Sequence, residues 1–242
     1  MSGRMTFYYK SSILLLLRTR WIGPYLLLPP MLAFIVHAEA YLSAQGVTGI
    51  FNLEQRTVLA IWNASLLLTL IAGIKSCLFF SRLWGSFWFR NSLSLPVSRS
   101  SGFWGSFLAV LSIATVMYLL TTGAVIAALP EISRFPWIQV LAELYIPIIW
   151  AVSAGALLGL ITSGTAGSLF FVAMMLLGFL TGMPSLYPSS GWLQAAIPPV
   201  GRIMTLSLVF PGGIIQAAIL LAHSIIVLTL GRLLYGFGIK RR

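Results

Sequence analysis

From residue 144 to residue 201 the chain carries no charged side chain. A helix needs about 20 apolar residues to cross a hydrocarbon core of about 30 Å, so this stretch must hold at least two crossings and the turn between them. A soluble domain has no place for such a run, because about 25% of its residues are typically charged. Here 8% are charged and 59% are hydrophobic. The sequence predicts one all-α, polytopic membrane domain over residues 1–242.

The net charge of +11 raises nucleic acid as a partner, but the bases are not gathered into a soluble patch with interleaved polar contacts. They punctuate the apolar runs instead. Arg4, Lys10, Arg18 and Arg20 open the chain; Lys75, Arg82, Arg90 and Arg99 lie in its first half; Arg232, Lys240, Arg241 and Arg242 close it. Only Arg56, Arg134 and Arg202 fall elsewhere. By the positive-inside rule, both termini and the segment around Arg90 are cytoplasmic. The four acids, Glu39, Glu54, Glu131 and Glu143, fall towards the other side, which requires an even number of crossings. The apolar run 13–17 near the N-terminus is too short for the core of a signal peptide. With Cys77 as the only cysteine, no intramolecular disulfide forms.

Along the chain, residues 1–20 alternate basic and polar positions with Phe7, Tyr8, Ile13, Leu14 and Leu17. This helical spacing predicts an amphipathic elbow in the inner interface. Six transmembrane helices follow, at about 21–42, 58–80, 102–129, 138–161, 168–183 and 213–234. Pro29 and Pro30 predict a kink in the first. Residues 43–57 are an outer loop and 162–167 a tight inner turn. In the second span Lys75 reaches the cytoplasmic interface by snorkelling. Asn63, Ser65 and Thr69 make that span the most polar one, and Asn63 and Thr69 are candidates for a translocation path or for interhelical hydrogen bonds. Glu143, in the first turns of the fourth span, suits the positive end of the helix dipole and has Arg134 as a candidate partner. Residues 188–212 carry Pro188, Pro198, Pro199 and Pro211. The arms left between the prolines, 192–197 and 203–210, are too short to cross, so a re-entrant helical hairpin in the outer leaflet is expected before the last span.

The segment 81–103 interrupts the apolar runs with bases and no acid. Arg82, Arg90 and Arg99 alternate with Trp84, Phe87, Trp88 and Phe89, and Leu95-Pro96-Val97-Ser98-Arg99 leads into Phe103-x-Gly105-Ser106-Phe107-Leu108-Ala109. This turn and its position resemble the cytoplasmic loop of permease subunits of type-2 ATP-binding-cassette (ABC) exporters, in which a small motor-contacting helix leads into an LPVSR turn that opens the third transmembrane helix. The order of elbow, two spans, docking loop (81–101), three spans, re-entrant segment and last span resembles that family over nearly the whole chain. The resemblance implies that Arg82, Trp84, Gly85, Phe87, Trp88, Arg90, Leu95, Pro96, Val97, Ser98 and Arg99 couple the permease to its motor. It also implies two separate ABC ATPase subunits, a second copy or a related permease subunit, membrane lipids around them, and a bacterial or archaeal inner membrane. One departure stands out: no acid lies between Glu54 and Glu131, where the family carries a glutamate beside a Gly-Thr pair.

The chain has no G-x-x-x-x-G-K-[ST] loop and no aspartate, so ATP and Mg are expected in the partner ATPase and no cofactor is expected on this chain. Sparse charge in the spans favours an amphipathic or lipid-like cargo. Two other classes compete, a non-transporting membrane scaffold and an intramembrane protease with Ser153 and His223 as a dyad. Ala151-Val152-Ser153-Ala154 lacks the glycines that flank a rhomboid serine, and a helix-packing serine and an interhelical histidine are the better readings. His37, His223 and Cys77 fall on three different spans without metal-ligand spacing.

Overall fold

The computed structural model describes residues 3–18, 53–85, 99–127, 137–180, 198–200 and 214–238. These form six helices: α1 (Gly3–Arg18), α2 (Leu53–Gly85), α3 (Arg99–Ala127), α4 (Trp137–Ile161), α5 (Gly164–Leu180) and α6 (Ile214–Gly238). The described residues contain no strand. Four segments are long and apolar enough to cross a membrane: Ile61–Leu83, Ser100–Ala124, Leu141–Ile161 and Ile215–Tyr235. They carry the expected second, third, fourth and last spans. α5 is apolar over Gly164–Gly178 but shorter. The expected first span with its proline kink lies outside the described residues, as does all of the re-entrant segment except Pro198–Val200.

Several boundaries differ from the sequence reading, each for a local reason. α2 begins at Leu53 and not at 58, since Leu53, Glu54, Gln55 and Arg56 are helix-compatible and no glycine or proline intervenes. It also continues past Phe80 to Gly85, with Leu83 buried. The first residues of the expected docking loop are therefore the last turn of a span. The expected turn 162–167 is reduced to Thr162 and Ser163, because Ser163 caps α5: its Oγ accepts from Ala166 N at 3.3 Å, satisfying one of the helix's free N–H groups.

α2 and α4 form the most extensive helix pair. Gly155-x-x-x-Gly159 of α4 faces Gly73 and Cys77 of α2, so the two helices run in the same direction. A Cβ at Gly155 would overlap the carbonyl oxygen of Gly73, and one at Gly159 that of Cys77. Lipid tails are as apolar as leucine, so helices associate in a bilayer through close packing and interhelical hydrogen bonds, and small residues permit that approach. Ser76 Oγ adds one such bond, donating to the carbonyl of Val152 at 2.8 Å. α5 closes this pair from the side. The ring of Phe171 fills the space above Gly73, where a side chain on the glycine would collide with it, and packs on Trp150 with centroids 5.8 Å apart. At the far end of α5, Gly178 meets the carbonyl of Pro198 and the side chain of Val200, and Pro198–Val200 are buried.

Candidate functional site

The two stems of the expected docking segment come together. α2 descends to Gly85 and α3 leaves at Arg99, and the Phe80 and Phe103 rings lie 5.8 Å apart just inside these ends. Phe103 is the hub of an aromatic junction. It contacts Trp104 (5.6 Å), Phe107 (6.3 Å, stacked) and Tyr235 of α6 (5.6 Å). Phe79 meets Phe80 edge-on. Phe80, Phe103 and Tyr235 are buried, so three helices are fixed to one another at the end of the bundle where the segment emerges.

α1 is fixed to the same place. It packs on α3, Ser12 and Ser106 share a hydrogen bond of 3.1 Å, and Tyr9 Oη donates to Ser112 Oγ at 3.1 Å. Gly105 makes the approach possible: its missing Cβ would lie 2.7 Å from Tyr8 Cβ and 3.0 Å from Met5 O and Tyr9 N. Gly102 leaves room for Tyr235, whose Oη would be 3.1 Å from a Cβ there, and for the ring of Tyr8 at 3.7 Å. The Phe103-x-Gly105-Ser106-Phe107 run noted in the sequence is thus where α1, α2 and α6 meet α3.

Of the expected coupling residues, Arg82 is exposed on the last turn of α2. Trp84 and Gly85 end that helix and Arg99 begins α3; their side chains lie outside the description. Phe87, Trp88, Arg90, Leu95, Pro96, Val97 and Ser98 lie outside the described residues. The candidate path residues are not brought together. Asn63 is exposed, whereas Thr69 is buried and returns its hydroxyl to the carbonyl of Ser65 at 2.6 Å.

At the opposite end of the bundle a polar group links α3 and α4. Tyr118 donates to the carbonyl of Leu141 at 2.7 Å, Tyr118 and Tyr145 pack at 5.3 Å, and Thr115 bonds Tyr145. Glu143 is 3% exposed and accepts from Gln139 Nε2 at 3.0 Å. Its expected partner Arg134 lies outside the described residues. The proposed dyad residues are engaged within their own helices. Ser153 Oγ donates to the carbonyl of Ile149 at 2.7 Å and His223 Nδ1 bonds that of Ile219 at 3.0 Å, which gives a nucleophilic pairing no support. Among the described residues no three of His, Cys, Asp and Glu form a group that could hold a metal.

The sequence reading noted Gly105 and Ser106 but missed the glycines that let α2 and α4 approach, and Tyr235. Gly155-x-x-x-Gly159 was visible as a small-residue motif of membrane helices. Tyr235 had no signal beyond being an aromatic near a helix end.

Comparison with known proteins returned no matching family model and no curated protein of significant sequence similarity.

Proposed function

We propose that this chain is the transmembrane permease subunit of an ABC exporter. In this reading six helices cross the membrane, both termini are cytoplasmic, and α1 is an interfacial elbow. Two copies, or one copy and a related permease, face each other above two ATPase subunits that bind ATP and Mg. Closure of the motors on residues 81–101 moves the stems of that segment, and the bundle alternates between inward and outward access for an amphipathic or lipid-like cargo.

One observation carries the reading: both stems of the basic, aromatic segment enter a single aromatic junction, Phe80 on Phe103, which also holds α6 through Tyr235 and adjoins α1 at Gly105. A segment that only rested on headgroups needs no rigid stems. A force applied to it is carried into four helices at once, since packed aromatic side chains transmit displacement without first yielding.

Purification of the tagged chain from its native membranes tests the proposal. It expects stoichiometric recovery of an ATPase carrying a Walker G-x-x-x-x-G-K-[ST] sequence. Recovery of the folded chain with no such ATPase returns the segment to a headgroup anchor and the protein to a scaffold.

A further inference from the structure

α1 has two faces. Tyr8, Ser12 and Leu16 are buried, and this side meets α3 through Ser12 and Ser106. On the other side Phe7 is 54% exposed, Leu14 63% and Leu17 50%, with Leu15 also exposed. Lys10 and Arg18 are exposed too. At 3.6 residues per turn all six project from one half of the helix, away from α3. Neither base is ion-paired among the described residues, and α1 itself carries no acid.

This combination is unsuited to water, which would hydrate four large apolar side chains. It is also unsuited to the same face of a second copy. A two-fold contact brings a face against itself, so Lys10 and Arg18 would meet their own like charges without an acid to neutralise them. It suits a bilayer interface, where apolar side chains enter the acyl region and basic ones extend to the headgroups. The depth agrees. α1 meets α3 at Gly105 and Ser106, near the stem end of the segment Ser100–Ala124, and the Tyr9 side chain reaches on to Ser112 at its middle.

We infer that the outward face of α1 is a docking surface for anionic phospholipid, with Phe7, Leu14, Leu15 and Leu17 among the acyl chains and Lys10 and Arg18 on headgroup phosphates. The two bases stand on the order of 12 Å apart along the helix, so they contact neighbouring lipids and not one phosphate. Each base near an anionic surface confers about a fivefold preference over a zwitterionic one. The inference rests on the chain being a membrane protein and is independent of the exporter proposal.

The test uses full-length protein with Leu14→Cys in a Cys77→Ala background, labelled with a small fluorophore and reconstituted in nanodiscs containing brominated phosphatidylglycerol or brominated phosphatidylcholine. Both lipids are expected to quench the label, phosphatidylglycerol at an at least fivefold lower mole fraction. The added pair Lys10→Gln and Arg18→Gln should abolish that preference while leaving quenching by phosphatidylcholine intact, which also reports that α1 remains folded in the interface. Arg232→Gln, an exposed base on α6, should leave the preference unchanged. Absence of quenching by either lipid means that protein covers this face and overturns the inference. So does equal quenching by the two lipids in the unsubstituted protein, or a preference that survives removal of both bases.

Discussion

Gly105 of α3 and Tyr8 of α1 are packed so closely that a Cβ on the glycine would lie 2.7 Å from that of the tyrosine. The neighbouring contacts are to backbone, Met5 O and Tyr9 N at 3.0 Å, and backbone within a helix cannot swing aside as a side-chain end can. α1 therefore keeps its place on α3 only while position 105 lacks a side chain.

Gly105→Leu is expected to lift α1 from α3. Cysteines at Ser12 and Ser106, whose hydroxyls are 3.1 Å apart, report the separation in a Cys77→Ala background. They should crosslink readily with Gly105 in place and at least tenfold more slowly with leucine there. Equal rates would mean that α1 is held by other contacts.

The pairing of α2 and α4 gives a second prediction, for which the native cysteine is the reporter. Cys77 is fully buried at the point where Gly159 approaches its carbonyl. Gly159→Leu must push two backbones apart, a strain of about 1–3 kcal/mol or more. Ser76→Ala removes only one interhelical hydrogen bond, worth about 0.6 kcal/mol on average in a membrane. Maleimide labelling of Cys77 under graded SDS should show a clear shift to lower detergent for Gly159→Leu and a small one for Ser76→Ala. The reverse order would contradict the packing described.

Much of this architecture was legible in the sequence, because helices in lipid are set by the length and spacing of apolar runs. The positions of α3, α4 and α6 follow from them to within a few residues. The ends of α2 were not legible: Glu54 and Arg56 read as loop residues and Ser81–Leu83 as an interruption, yet neither stretch contains a helix breaker, and polar residues are stable at helix ends that reach water. The site was legible only in part. Phe103, Gly105, Ser106 and Phe107 drew notice as a motif, but which helix each one touches depends on tertiary packing. Tyr235 reaches Phe103 from a helix far away in the chain, and no local pattern announces that contact. Asn63 and Thr69 were grouped by polarity alone, and their places on α2 separate them.

The length of α2 makes topology a direct measurement. Its 33 residues extend about 50 Å, well beyond a core of about 30 Å, so its two ends lie on opposite sides of any membrane it crosses. With Cys77→Ala, an impermeant thiol reagent should label cysteine at Glu54 from outside the cell and at Leu95 only after the membrane is opened. Labelling of both from the same side would require α2 to lie outside the bilayer.

Attachment of an ATPase to residues 81–101 is tested by removing the proposed anchors without touching a span. Trp88→Ala with Arg90→Ala deletes an aromatic surface and a forked donor, the side-chain types that dominate protein interfaces. Recovery of the Walker-motif ATPase is compared between unsubstituted protein and the double variant at matched membrane abundance, with Cys77 still protected from maleimide as evidence of a folded bundle. The double variant should associate at least thirtyfold more weakly, the equivalent of about 2 kcal/mol at an interface anchor. Equal recovery with a protected Cys77 would contradict that attachment.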